Sequence, residues 1–368
     1  MDSSQRAYLE AGEARAYMLG NRGPLRLDAD GALAADIVEA YWTHGFYVFE
    51  GLVDEAATRQ LVTELEAMLS RAPSGTGATT DAQGRPAIGL DYTLTSFRYA
   101  RPLSDPNGGT ASTHGRYPAR MSEPEAPTDA PAEVPYHISG ILHLLDSALY
   151  LYGHPKLLAA AATINGPDFV PFTDTIWVKP AGLGASVSWH QDGTTHWQSP
   201  DLDKGTHGFN FMTQFYDTNA ENALWVMPGT HNQGKIDIRG MMAANPDGDR
   251  LPGAVPMLAK AGDVAMCNRQ VLHGSFANTS PTPRATLIFG FHRRASVLGV
   301  QGWAKAPYDE ERLRKRSEVI AMAIAARAQR YPDETPYPYV PFAGTPIAWQ
   351  ESHRQTRLAN YNVNDIGI

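Results

Sequence analysis

Residues 169–294 are cut into short segments rich in β-branched and aromatic residues, each ended by Gly, Pro, Asn or Asp. The pattern predicts strands near 169–179, 185–191, 208–217, 223–227, 254–258, 263–267, 270–276 and 284–294. Segments this short cannot present a helical stripe, and so many strands in one region must pair with one another. The expected core is therefore a sandwich or barrel of the jelly-roll type.

Helical patterns flank that region. Leu33, Ile37, Val38 and Tyr41 recur at helical spacing before the aromatic run Phe46–Phe49, so residues 30–48 read as helix then strand. Asp54 can cap a second helix, with Glu55 in its first turn and Leu61, Leu65, Met68 and Leu69 as its apolar stripe. Ile138, Ile141, Leu142, Leu145 and Leu149 mark a helix over 138–152, and Pro155 opens another that stops before Asn165-Gly166-Pro167. A long helix with a solvated Glu/Arg/Lys face is expected over 308–330, followed by an irregular tail over 332–368.

Between 72 and 136 the periodicity fails, and prolines recur from Pro102 to Pro135. A loop of that length is usually functional or disordered. Tyr92, Phe97, Arg98, Tyr99 and Arg101 inside it point to partial order, so it reads as a lid or substrate-facing excursion. One domain over 1–368 is expected: an N-terminal helix–strand–helix (30–71), the excursion (72–136), helices (137–166), a β core (167–300), and a C-terminal helix and tail (301–368).

The net charge of −8 over 368 residues argues against a nucleic-acid partner. No run approaches the roughly 18 apolar residues of a membrane span, and Met1–Glu13 lacks the apolar stretch of a signal peptide. Cys267, the single cysteine, is expected to be a buried thiol, which fits a reducing cytoplasm. A homo-oligomer is left open, with the 308–330 helix as a candidate contact surface.

The string Ser188-Trp189-His190-Gln191-Asp192-Gly193 carries chemistry. Positions i and i+2 of a strand share a face, so His190 and Asp192 can offer a nitrogen and an oxygen to one metal. Two His and one carboxylate on one face of an octahedron leave open positions and suit non-haem iron(II). His-x-Asp alone is a common accident; a third ligand from a later strand is needed. His273 is the best candidate, with Arg284 downstream. A 2-oxoglutarate chelated to iron by its C1 carboxylate and keto oxygen points its C5 carboxylate inward, where a guanidinium fork suits it. Ser275 shares the strand face of His273 and adds a donor.

The order of these pieces resembles the phytanoyl-CoA dioxygenase family of iron/2-oxoglutarate oxygenases. The resemblance spans roughly residues 30–295. It rests on the early strand and the helix from Asp54, His154-Pro155-Lys156-Leu157-Leu158, His190-Gln191-Asp192, Asn222 to His231, Gly262-Asp263, His273-Gly274-Ser275 and Arg284. Ala223 stands where the family usually has Gly. The resemblance implies a mainly β fold with flanking helices, a double-stranded β-helix of jelly-roll, cupin-like form. It implies iron(II) at His190, Asp192 and His273, with 2-oxoglutarate at Ser275 and Arg284 and dioxygen as the oxidant. It also places the strand 170–179 along the cosubstrate pocket, with Thr175 or Trp177 near the C1 carboxylate; otherwise these two are barrel packing. Related halogenases carry a small residue at the carboxylate position, so Asp192 argues against halogenation. The expected reaction is oxidation of an unactivated C–H bond of a small, amino-acid-like or secondary-metabolite molecule. Hydroxylation is the expected outcome, with desaturation, epoxidation or rearrangement left open.

Two other classes stay open: a jelly-roll zinc hydrolase or isomerase, and a non-catalytic small-molecule binding protein. Neither gives Arg284 and Ser275 a role together with an intact triad. Of the other histidines, His196 is a loop residue or a substrate contact, His231 a turn-stabilising residue, and His292 a structural one. Trp189 should face away from the ligands; Phe211, Thr213 and Phe215 read as core, and Arg293 and Arg294 as exposed charges at a strand end.

Overall fold

The computed structural model describes residues 3–92, 94–192, 208–301 and 307–362. Twelve strands run along the described chain: β1 (Arg22–Gly23), β2 (Phe46–Phe49), β3 (Phe97–Ala100), β4 (Val134–Ser139), β5 (Val170–Lys179), β6 (Val187–His190), β7 (Gly208–Gln214), β8 (Trp225–Val226), β9 (Val255–Pro256), β10 (Val264–Asn268), β11 (His273–Ser275) and β12 (Arg284–His292). Its α-helices are α1 (Ser3–Met18), α2 (Ala35–His44), α3 (Glu55–Ser70), α4 (Asp146–Tyr152), α5 (Pro155–Asn165), α6 (Ile238–Ala244), α7 (Glu310–Arg330) and α8 (Ser352–Thr356). No described helix is long and apolar enough to cross a membrane.

The strands form two sheets. The larger has the order β1-β2-β10-β7-β12-β5-β4-β3, and the smaller β6-β11-β8-β9. All pairings are antiparallel except β1 with β2 at one edge. The central strands β7, β10 and β12 are buried along their whole length. Alternation sorts their side chains. Phe209, Phe211, Phe215, Leu287, Phe289 and Phe291 join a core with Leu149, Tyr152, Leu158 and Ile320 of the helices. Met212 and Ile288 join a second cluster with Val226 of the smaller sheet. Helices thus cover one face of the large sheet.

That cover corrects the expectation of a mainly β chain: the architecture is mixed helix and antiparallel sheet. A large sheet with two apolar faces needs a layer on each. The predicted core strands all appear. Asp54 caps α3 by accepting from Ala57 N at 2.8 Å, and Leu61, Leu65 and Met68 are buried as the stripe required. Gly45 ends α2 in the left-handed region, and a Cβ there would lie 2.7 Å from His231 Nδ1.

Four departures have physical causes. Helix α1 has only Leu9 and Gly12 buried, so no apolar stripe announced it. It docks through Tyr8, stacked on Trp225 with ring centroids 4.8 Å apart, while Gly12 lets the indole approach closely. The helix expected over 138–152 begins only at Asp146, because Ile138 pairs with Ile176 in the sheet and Gly140 turns the chain at φ 73°. The 72–136 excursion supplies β3 and β4 and is pinned by buried carboxylates. Asp81 holds Arg71 and Arg85, and Asp105 accepts from Gly108 N, Met121 N and Ser188 Oγ. The charged face of α7 is partly covered: Arg316 is buried, donating to Tyr361 O and Asn362 Oδ1 at 2.8 Å. The tail expected to be irregular packs there and forms α8.

A Cβ at Gly153 would overlap the Ala323 carbonyl of α7, whereas nothing lies near one at Gly344. Gly153→Ala is expected to lower stability by about 1–3 kcal/mol in urea unfolding, with Gly344→Ala within ~0.5 kcal/mol of the parent. Equal midpoints for the two would contradict the close docking of α7 on α4.

Candidate functional site

Strands β6 and β11 are hydrogen-bonded neighbours, and their register sets His273 opposite His190. The two imidazole centroids are 4.1 Å apart. Asp192 follows β6, where its N–H donates to Arg269 O at 2.8 Å. His190, Asp192 and His273 are buried, and one donor atom from each lies within 4.8 Å of the others.

The backbone fixes the imidazole tautomers. His190 Nδ1 lies 2.8 Å from Ser188 O, and His273 Nδ1 2.8 Å from Val271 O. A carbonyl only accepts, so each Nδ1 carries the hydrogen and each Nε2 presents a lone pair. Burial, then the neighbouring His273, pulls the His190 imidazole down to about 3, so it is neutral in ordinary buffers. Burial acts to raise the Asp192 carboxyl, but Arg116, His273 and Arg269 outweigh it and hold it well below the usual range. Arg116 Nη1 donates to Oδ1 at 3.3 Å and Asn210 Nδ2 to Oδ2 at 3.1 Å. Two imidazoles anchored through Nδ1 and one carboxylate on one side of a point form a donor set suited to iron(II).

These groups open into a cavity of about 260 Å³ between the sheets, which Ser275, Arg284, Thr175 and Trp177 also line. Ser275 Oγ is buried with no hydrogen-bond partner. An orphaned hydroxyl costs about 1–3 kcal/mol unless something else satisfies it. Arg284 is buried with Nε on Thr286 Oγ1 at 3.0 Å and Nη1 on Asn222 O at 3.1 Å. Thr286 passes its own hydrogen to Gln214 Oε1 at 2.9 Å. Burial lowers Arg284 to about 10, so it stays charged at neutral pH, yet no carboxylate pairs with it among the described residues. The donor set, the orphaned hydroxyl and this guanidinium all fit an iron/2-oxoglutarate pair.

Several contacts were invisible in the sequence. Arg116 and Tyr117 reach the cluster from the excursion; the Tyr117 ring is 4.6 Å from His190. Thr113, His114 and Gly115, just before them, all have positive φ. Such backbone is costly for non-glycine residues and recurs at functional sites. Asn210 alternates with core Phe211, a period-2 signal that could have flagged it. Lys179 of β5 stands directly opposite Arg284 of β12 and is buried, with Nζ donating to Phe276 O at 2.7 Å; burial and Arg284 hold it well below its ordinary value.

The remaining histidines lie away from the cluster. His231 is buried with Nε2 3.0 Å from Trp42 O. His292 is buried against Arg269 and stacked on Phe172. His196 lies outside the described residues. Trp189 faces away, donating Nε1–H to Asp249 O at 2.7 Å; Phe211 and Phe215 are in the helix-side core, and Thr213 is buried. Arg294 pairs with Glu310.

The family model described as phytanoyl-CoA dioxygenase matches residues 41–286. Ectoine dioxygenase of Bordetella parapertussis is 24% identical over 319 residues, covering 81% of this chain and 85% of that protein. Phytanoyl-CoA dioxygenase 1 of Oryza sativa subsp. japonica is 30% identical over 115 residues, covering 30% of this chain and 40% of its own. Among solved structures, EctD from S. alaskensis with 2-oxoglutarate and 5-hydroxyectoine aligns at a TM-score of 0.48 and 18% identity, covering 75% of this chain and 84% of that one.

Removing a ligand leaves two donors where a divalent ion needs three. Asp192→Ala and His273→Ala are each expected to weaken manganese(II) binding roughly 100-fold or more by calorimetry, with the urea midpoint checked for each variant. Unchanged affinity in a folded variant would remove that residue from the donor set.

Proposed function

This chain belongs to the phytanoyl-CoA dioxygenase family, and on that premise we propose that His190, Asp192 and His273 hold its iron while Arg284 and Ser275 receive 2-oxoglutarate. The protein is an iron- and 2-oxoglutarate-dependent oxygenase acting with dioxygen on a small molecule. The observation that carries the assignment is one cavity lined by two bare Nε2 atoms, an ionised carboxylate, an orphaned serine hydroxyl and a buried arginine without an acid. A hydrolytic metal site leaves the last two unexplained, and a binding protein has no need of the intact triad.

Bound iron and 2-oxoglutarate supply oxidative decarboxylation of the cosubstrate, coupled to oxidation of a substrate C–H bond. The protein's part is to orient and enclose. The Ser188 and Val271 carbonyls keep both imidazoles in the ligating tautomer. Asn210 and Arg116 fix the carboxylate of Asp192. Thr286 and Asn222 hold the Arg284 fork so that Nη2, used by neither bond, and the Ser275 hydroxyl meet the distal carboxylate. Thr175 and Trp177 line the same cavity, and one of them would stand beside the C1 carboxylate of bound 2-oxoglutarate. Residues 94–139 contribute Leu94, Arg98, Asn107, Tyr117 and Tyr136 to the lining, which supports reading the excursion as the substrate-facing wall of a single catalytic unit. The two-sheet core is read as a double-stranded β-helix, and a volume near 260 Å³ favours a small substrate over a polymer. The carboxylate at position 192 argues against halogenation, and hydroxylation is the outcome proposed.

Iron(II) and 2-oxoglutarate added without oxygen are expected to give the visible charge-transfer band of the chelate; bound iron with no band would sink the assignment. Arg284→Ala should cost about 2–4 kcal/mol of 2-oxoglutarate affinity, roughly 30- to 1000-fold, while manganese(II) affinity holds. Equal loss of both would instead make Arg284 a structural residue.

A further inference from the structure

The sheet rungs that floor the cavity read across four strands. Arg98 of β3 is opposite His137 of β4, His137 is opposite Trp177 of β5, and Trp177 is opposite Thr286 of β12. Residues on one rung share a face. That line runs from the Thr286–Arg284 hydrogen bond to the sheet edge, and Arg98 is its exposed outer end.

Arg98 differs from the other arginines of residues 71–136. Arg71 and Arg85 pair with Asp81, Arg101 and Arg120 with Glu123, and Arg116 with Asp192. Arg98 has no ion pair or hydrogen bond among the described residues, although it lines the cavity. The charges point the same way. In the reading given above, iron(II), Asp192, dianionic 2-oxoglutarate and Arg284 sum to no net charge. Among the described lining residues, Arg98 and Arg116 then remain as cations and no further acid is present. Burial, and then Arg98 itself, keeps the His137 imidazole neutral by pulling its pKa well below the ordinary value. A chamber with surplus positive charge and low-dielectric walls concentrates anions.

We propose that Arg98 is a specificity-determining residue that receives an oxyanion on the substrate, a carboxylate or a phosphate, while the substrate's apolar body lies against Leu94, Tyr136 and Trp177. Arg116, engaged with Asp192, adds its charge to the field that draws the anion in. The substrate class is therefore a small organic acid or phosphate ester with an apolar or aromatic body. This rests on the iron/2-oxoglutarate reading of the site.

The test is calorimetric titration, without oxygen, of protein saturated with manganese(II) and 2-oxoglutarate. The probes are phenylacetate, phenyl phosphate and the neutral phenylacetamide. At least one anion is expected to bind about tenfold or more tightly than the amide, and the better anion identifies the source of the oxyanion. Arg98→Ala should bring that anion down to the affinity of the amide, Arg98→Lys should keep part of the preference, and added salt should erode it. Arg98 is exposed on an edge strand, so its variants are expected to keep the parent urea midpoint. No preference for an anion in the parent protein, or a preference that survives Arg98→Ala, overturns the proposal. Binding of 2-oxoglutarate is read first in the same cell. Its absence would strike the preceding assignment, while its presence without anion preference would strike this one alone.

Discussion

Everything at the centre of this protein depends on the register between β6 and β11. His273 stands opposite His190, but the ladder then shifts and sets Ser275 opposite Val187. All four residues line the cavity. Strand β6 therefore uses one more residue than β11 over the same stretch, which is the geometry of a bulge. A perfectly regular pair would turn either His190 or Val187 away. Gly274 permits the close approach, since a Cβ there would sit 3.0 Å from Trp189 N. A one-residue slip of either strand would turn its imidazole to the Trp189 side, leave the two histidines on opposite faces and dissolve the ligand set.

Around that register the two sheets divide the work. The small sheet presents His190, His273 and Ser275; the large sheet presents Arg284, Thr175 and Trp177 from the opposite side. The large sheet can be buried on both faces because aromatic residues of β7 and β12 fill the helix-side core while their alternate neighbours, Asn210, Met212 and Ile288, face the cavity. Each strand thus serves packing with one parity and chemistry with the other. No described α-helix lines the cavity; the helices hold the sheet that does.

The sequence revealed what is local or periodic. Short punctuated segments gave the core strands, Asp54 gave a helix start, and the spacing of His190, Asp192, His273, Ser275 and Arg284 marked the candidate site. What stayed hidden is long-range or aperiodic. Helix α1 has almost no apolar stripe and is held by long-range contacts, the Tyr8–Trp225 stack and the Tyr8 and Arg15 hydrogen bonds to the Leu251 and Ala254 carbonyls. Strands β3 and β4 lie in a Pro- and Gly-rich stretch and are stabilised by joining an existing sheet edge. Arg116 and Tyr117 reach the cluster only because three successive left-handed residues turn the chain back, a conformation no residue pattern in 112–117 specifies. The burial of Arg316 depends on a tail that returns from residues 361 and 362.

Asp105 ties two of these parts together. Its carboxylate accepts Ser188 Oγ at 2.6 Å while also holding Gly108 N and Met121 N. Ser188 is two residues from His190, and its carbonyl sets that imidazole's tautomer. The cavity wall supplied by residues 94–139 and the strand that presents His190 are thus stitched through one buried acid. They do not form separable modules. A backbone change in residues 105–121 that displaces Asp105 would therefore be felt at His190, whereas exchanging side chains on that frame leaves the stitch in place.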